Sequence, residues 1–481
     1  LFFNQVNAQA SIQNNSVANL NLSPVSNSFT PKGLRVPNGN SLLLLGSDVD
    51  INGGGLVALG GRVELGGLAE PGTVGLNENG NILSFNFPSE VERSNISLNN
   101  SAGVEVTADN GGSIVVNAGN IEIAGSQLLA GISPGLGSNE SQAGDITLNA
   151  QGSTVIKGNI TPETTTRSRI RNFVYSGASG KGGDIKINTE SLSVRDFSSL
   201  ETTTRGLGDA GKVLVQAKNE ISLREGSTIF NTVSSGGIGN AGGVTIQANS
   251  FSLLEGAEIQ AGNRGGIGYG GNVNVDVRDR IIFDGLENDG FSSGIFTGTS
   301  VDGIGNSGNI KVRANYLKLS DGARIQTKSS GEGDIGDIDI NVDDSIILDG
   351  TRINPNLEFE HLTGIFTNSK TKNSSVGNAG DLTIKTNTFL VKNGAYITTS
   401  TSSRGKGGNL TVNAQDIQII GESKDGLLGS GFFTSAQRNS TGDAGNLTIS
   451  TNTLLVKDGA EVSTKTFSKG KGGDLTVNAQ D

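Results

Sequence analysis

A short unit recurs along this chain: glycine, a small or polar residue, then an apolar–polar–apolar run. It reads Gly144-Asp145-Ile146-Thr147-Leu148, Gly183-Asp184-Ile185-Lys186-Ile187, Gly211-Lys212-Val213-Leu214-Val215 and Gly271-Asn272-Val273-Asn274-Val275, and returns as late as Gly473-Asp474-Leu475. From Gly183 onward the opening glycines stand 28, 32, 28, 37, 28, 44, 28, 37 and 28 residues apart. One spacing is fixed and its neighbour varies. The repeat is therefore a pair, a tight unit followed by a unit with a variable insertion. A period of this length marks stacked supersecondary units rather than separate globular domains.

The tight unit 380–408 shows how such a unit is organised. Leu382 and Ile384 alternate with polar residues, which is strand period, and Leu390-Val391 form a second short apolar run. Asn393-Gly394-Ala395 reads as a turn, Ile397, Thr399 and Thr401 as a third alternating run, and Ser402–Gly407 as a polar, glycine-rich loop. Three short strands cannot bury their own apolar edge. Stacked in parallel, each pairs with its equivalent one unit away, at a rise of about 4.8 Å per rung. Inward positions such as Ile185, Ile187, Val213, Val215, Ile325, Ile397 and Val462 then contribute about 1.5–3 kcal/mol each on burial. The predicted fold is all-β: a right-handed parallel β-helix (β-solenoid), three short strands per rung, with loop insertions on alternate rungs. A helical fold conflicts with the missing 3.6-residue period and with glycine interrupting every segment.

Composition agrees with a thin, repeated core. The 481 residues include 73 glycines and one His, with no Cys, Met or Trp, and only 34% are apolar. The net charge of −11 is dispersed, which argues against nucleic acid and anionic membrane surfaces as partners. No run of 18 apolar residues exists, so a membrane-spanning helix is not expected. Lack of cysteine removes disulfide and thiolate chemistry and suits a chain that crosses membranes unfolded. Lack of methionine is the mark expected of a mature or excised piece.

The segment Gly206-Leu207-Gly208-Asp209-Ala210-Gly211-Lys212-Val213 satisfies the dinucleotide fingerprint GxGxxG. A phosphate loop needs a helix N-terminus after it, whereas Lys212–Gln216 reads as a strand. The same pattern returns at 237–242 and 303–308, at the same phase of the repeat. It is read as a solenoid corner, and no cofactor is assigned.

Residues 33–68, "GLRVPNGNSLLLLGSDVDINGGGLVALGGRVELGGL", resemble the tail of the haemagglutination-activity domain of two-partner-secretion exoproteins, the filamentous-haemagglutinin-like family. The later Gly-Gly-Asp rungs are similar to the repeat regions of its glycine-rich members. The resemblance implies two domains: residues 1–95 as the C-terminal part of a haemagglutination-activity, export-like β-helix, and 96–481 as the paired-rung repeat region. It also implies export through an outer-membrane two-partner-secretion transporter. The place of action would be the extracellular space or outer cell surface of a Gram-negative-type bacterium, in adhesion to a surface glycan or protein receptor. An Asn354-Pro355-Asn356-Leu357 tetrapeptide matches a secretion-associated motif of that family, but it sits inside a variable insertion and is read as coincidence. The alternatives are a carbohydrate-active enzyme (a polysaccharide lyase or hydrolase on the same fold) and a passive surface-coat spacer.

The remaining chemistry is sparse. The insertions 284–292, 350–362 and 421–429 are each followed by an echo: Ser293-Gly294-Ile295-Phe296-Thr297, Thr363-Gly364-Ile365-Phe366-Thr367 and Ser430-Gly431-Phe432-Phe433-Thr434. The expectation is a third strand with its Phe in the core; the alternative is an aromatic edge that contacts a sugar or partner. The acidic pairs Asp343-Asp344 and Asp48/Asp50 read as solvated charges. Gly182-Gly183-Asp184 and Gly472-Gly473-Asp474 lack the nine-residue period of calcium-binding repeats and read as loop-closing residues. His361, beside Glu358 and Glu360, is the single His and too little for a zinc site or a triad. No catalytic, cofactor-binding or metal-ligating residue is assigned, and the chain is not expected to be an enzyme.

Overall fold

A computed structural model describes the chain except for residues 7–10, 24–29, 162–163, 286–289, 351–361, 370–376, 425, 439 and 481. It contains two compact units. One comprises Leu1–Ile221, Ser227–Asn231 and Gly236–Gly242; the other comprises Ser222–Gly226, Thr232–Ser235 and Gly243–Asp481. Each is a parallel β-helix, and every regular element among the described residues is a strand.

In the first unit, one rung shows the plan. Strands Ile185–Thr189 and Ser191–Arg195 share one sheet, and Ser199–Thr204 belongs to a second. Each pairs in parallel with the rung before it, through Ile185↔Ile146, Leu192↔Thr154 and Leu200↔Ile170. An antiparallel hairpin, Gly75–Asn79 with Ile82–Asn86, joins the outer side of the first sheet. There Leu83 N donates to Ser41 Oγ, and Phe85 N donates to the buried Glu64 carboxylate. The other Glu64 oxygen accepts from the Asn117 amide at 2.9 Å, and Asn149 and Asn188 extend the chain of side-chain hydrogen bonds rung by rung.

The second unit departs from three strands per rung. Over Val244–Leu254, Val273–Asp284, Ile310–Ser320 and Ile338–Asp349 the first two runs fuse into single strands of 11 or 12 residues. The register shifts between Ala248 and Ser250 and between Ala314 and Tyr316, so a bulge takes up the extra residue and pairing continues through the corner. From Leu382–Lys385 and Thr388–Lys392 onward the two runs are separate again.

The core lies between the two sheets. Ile185, Ile187, Val213, Val215, Ile325 and Ile397 are fully buried. Val462 is only half-buried, because its strand Glu461–Thr466 has a parallel partner on one side alone, Gly431–Ala436. Toward the glycine-rich loops the interior becomes polar. The hydroxyls of Thr297 and Thr367 donate to the carbonyls of Gly308 and Gly380 at 2.7 and 2.8 Å, and Asn231 Nδ2 reaches Gly211 O at 2.7 Å. Backbone pairing is sparser in the loops than in the sheets, and some of their buried carbonyls take side-chain donors. A thin core with few apolar residues is the consequence.

Candidate functional site

The loop that imitates a phosphate site is filled by its own neighbours. A Cβ on Gly208 would stand 2.0 Å from Gly180 O, and one on Gly211 1.9 Å from Gly183 O. Gly208 also has φ +127°. Its N–H, which a phosphate would need, donates to Ile238 O at 2.7 Å, and Leu207 N donates to Ala178 O at 2.8 Å. The Leu207, Gly208, Ala210 and Lys212 amides are spent on pairing between rungs, and a strand follows at Val213–Ala217.

The Gly-Gly-Asp positions are likewise engaged. The residue after the opening glycine uses its side-chain oxygen to accept the backbone N–H of its equivalent one rung on. Asp145 accepts from Asp184 N and Asp184 from Lys212 N in the first unit. In the second, the ladder runs through Asn272, Asn309, Asp337, Asp381, Asn409 and Asn446 to Asp474, with distances of 2.8–3.0 Å. Asp48 and Asp50 act similarly, accepting from Asn95 N and Ser97 Oγ. Asp343 and Asp344 are exposed on their strand. No group of three or more His, Asp or Glu placed to hold a metal ion occurs among the described residues. His361 and Asn354–Leu357 lie outside the described residues.

Each letter of the echoed motif has a physical role. Ser293 and Ser430 clamp the base of their insertions: their hydroxyls donate to Asp284 O and Ile420 O and accept from Gly256 N and Gly394 N. Thr363 does the same between Gly350 O and Gly322 N. Gly294, Gly364 and Gly431 sit against the carbonyls of Arg324, Tyr396 and Glu461, where a Cβ would be 2.0–2.2 Å from oxygen. The residue that enters the core is the one before the expected Phe: Ile295, Ile365 or Phe432. Strand alternation places Phe296, Phe366 and Phe433 on the outer face of the second sheet; a core Phe is found at Phe432, and Phe366 is buried against Tyr396, whereas Phe296 is only half-buried, which corrects the assignment for the first echo.

Those three rings are not equivalent. Phe366 and Phe433 fold back over Gly364 and Gly431 and stack edge-on against Tyr396, at centroid distances of 5.2 and 5.8 Å. Phe296 instead lines an open groove of about 280 Å³ with Gln260, Gln326, Arg264 and Lys328. Its floor is Gly262 and Gly298, paired across adjacent rungs. No protein-family model, curated protein or solved structure matches this chain. The groove's chemistry is therefore read from its own residues.

The outer face of the second sheet in the first unit carries charge. Arg171 Nε meets Glu201 Oε2 at 3.2 Å, Ser199 Oγ donates to the other oxygen, and Arg171 and Arg205 flank the Phe173 ring. Glu105 is 1% exposed beside a cavity of about 340 Å³ bounded by Leu22, Pro31, Leu59, Thr107, Ser133 and Pro134. One of its oxygens accepts from Thr107 Oγ1 at 2.9 Å, and the other has no hydrogen-bond partner among the described residues. Burial pushes this carboxyl up to about 7, partly offset by the Thr107 bond. Burial also raises the unpartnered Tyr175 phenol. The register Glu105↔Leu129↔Arg171↔Glu201 sets Glu105 and Glu201 three rungs apart, roughly 14 Å, whereas glycosidase carboxylates stand about 5–9.5 Å apart. These two carboxylates are not spaced for glycoside hydrolysis. Sequence reasoning missed Glu105 because its apolar–charged alternation looks like any solvated strand edge.

Proposed function

We propose that this protein is a secreted, surface-associated filamentous adhesin, exported by an outer-membrane two-partner-secretion transporter. It acts outside a Gram-negative-type cell by binding a surface glycan or protein receptor. The observation that carries this reading is the polar, aromatic groove on the outer face of the second unit's second sheet. Its aromatic ring, amides and bare glycine floor suit recognition of a hydroxyl-rich surface, and backbone stacking holds them rigid. The resemblance of residues 33–68 supports the export route. The separation of Glu105 and Glu201 speaks against that pair as a glycosidase dyad.

The test is cellular. In a strain carrying the transporter, the protein should be digested by protease added to intact cells, and its deletion should reduce attachment to host cells or matrix. Retention inside the cell with the transporter present would refute the export route. Unchanged attachment after deletion would leave a passive coat spacer.

A further inference from the structure

We infer that the groove over Gly262 and Gly298 is a subsite for a neutral, linear, β-linked glycan, lying across successive rungs with a pyranose face on Phe296. This rests on the surface-binding reading and names the ligand class.

The groove is built into the stacking. A Cβ on Gly262 would stand 2.4 Å from Gly298 O, and one on Gly298 2.1 Å from Lys328 O. A side chain at either floor position would clash with the backbone of the next rung, so these two positions stay bare. Beside the floor, Gln260, Phe296 and Gln326 stand directly over one another on three successive rungs. With about 4.8 Å per rung, the two amides lie roughly 9.6 Å apart with the ring between them. That span is close to two pyranose residues of an extended β-1,4-linked chain. The C–H face of a pyranose packs on an aromatic ring, and carboxamides offer both a donor and an acceptor to its hydroxyls. The Gln326 amide has no side-chain partner among the described residues, whereas the Gln260 amide donates to Glu258 Oε2 and offers its oxygen to a ligand hydroxyl.

Two further features narrow the ligand. Glu258, Arg264 and Lys328 put both signs of charge at the rim, so no uniform field favours an anionic chain. The Gly262 and Gly298 floor crosses two successive rungs, a line that suits a straight ribbon better than a coiled α-linked chain. Phe296 is also the ring of the three echoes that is not locked against Tyr396, which leaves its face for a ligand.

The experiment is calorimetric titration of the full chain with cellohexaose, chitohexaose and hexagalacturonate. At least one neutral hexamer should bind, Phe296→Ala should weaken it at least tenfold, and Gln326→Ala severalfold. Phe296→Tyr should retain binding. Matching melting temperatures for Gln326→Ala and the parent exclude misfolding as the cause. The inference is overturned if neither neutral hexamer binds, if Phe296→Ala binds equally well, or if hexagalacturonate binds more tightly. A protein that reaches the surface and promotes attachment yet binds no neutral hexamer would refute this inference alone. A protein that binds the hexamer but stays inside the cell would refute the export reading alone.

Discussion

Glu105 offers a sharp test of how the first unit is held together. Its carboxyl is raised from 4.5 to about 7, chiefly by burial. Below about pH 4.5 it is protonated in both folded and unfolded chains and contributes no pH dependence. As pH rises from 4.5 to 7, the unfolded chain releases the proton while the folded chain keeps it, so stability falls. Above about pH 7 the loss is complete. A shift of 2.5 units at 1.36 kcal/mol per unit makes it about 3 kcal/mol. Glu105→Gln keeps a side-chain oxygen for the Thr107 hydroxyl and removes the ionisation. The variant should therefore match the parent near pH 4 and exceed it by about 3 kcal/mol at pH 8. Hydrogen exchange on peptides spanning Gly103–Glu105 and Gln127–Ile132 would read this locally, without assuming that the whole chain unfolds in one step. Parallel pH profiles for parent and variant would refute the reasoning, as would a variant less stable at pH 8.

Two further substitutions probe the repeat itself. Gly211→Ala drives a methyl to within 1.9 Å of Gly183 O, so its thermal unfolding should begin many degrees earlier. Gly39→Ala meets no atom within 4 Å and should cost only about 1 kcal/mol, from its positive φ; equal effects would contradict the stacking argument. Asn309→Ala removes the acceptor for the Asp337 N–H and should cost about 1 kcal/mol, with faster exchange at that amide alone.

Much of this architecture was legible in one sequence. Period-two alternation at Ile185/Ile187 and Ile397/Thr399/Thr401 gave the strands and their inward faces, because side chains in a strand must alternate. The recurrence of GxGxxG at one phase told the corner apart from a cofactor loop. The fusion of two runs in Val244–Leu254 was not legible, since a bulge and a turn look alike in composition. The face taken by Phe296 was also missed. Isoleucine and phenylalanine are adjacent and both apolar, and only the register decides which points inward.

The sequence alone therefore determined the repeat, the strand period and the absence of room for thiol or multi-histidine chemistry, because these depend on residue order and identity. The tertiary structure decided which residues meet across rungs. Glu105 becomes a buried acid, Asp184 and Asn309 become acceptors for a neighbouring backbone, and Gln260, Phe296 and Gln326 become one surface. Those partners lie 28 to 36 residues apart, and stacking alone brings them within reach.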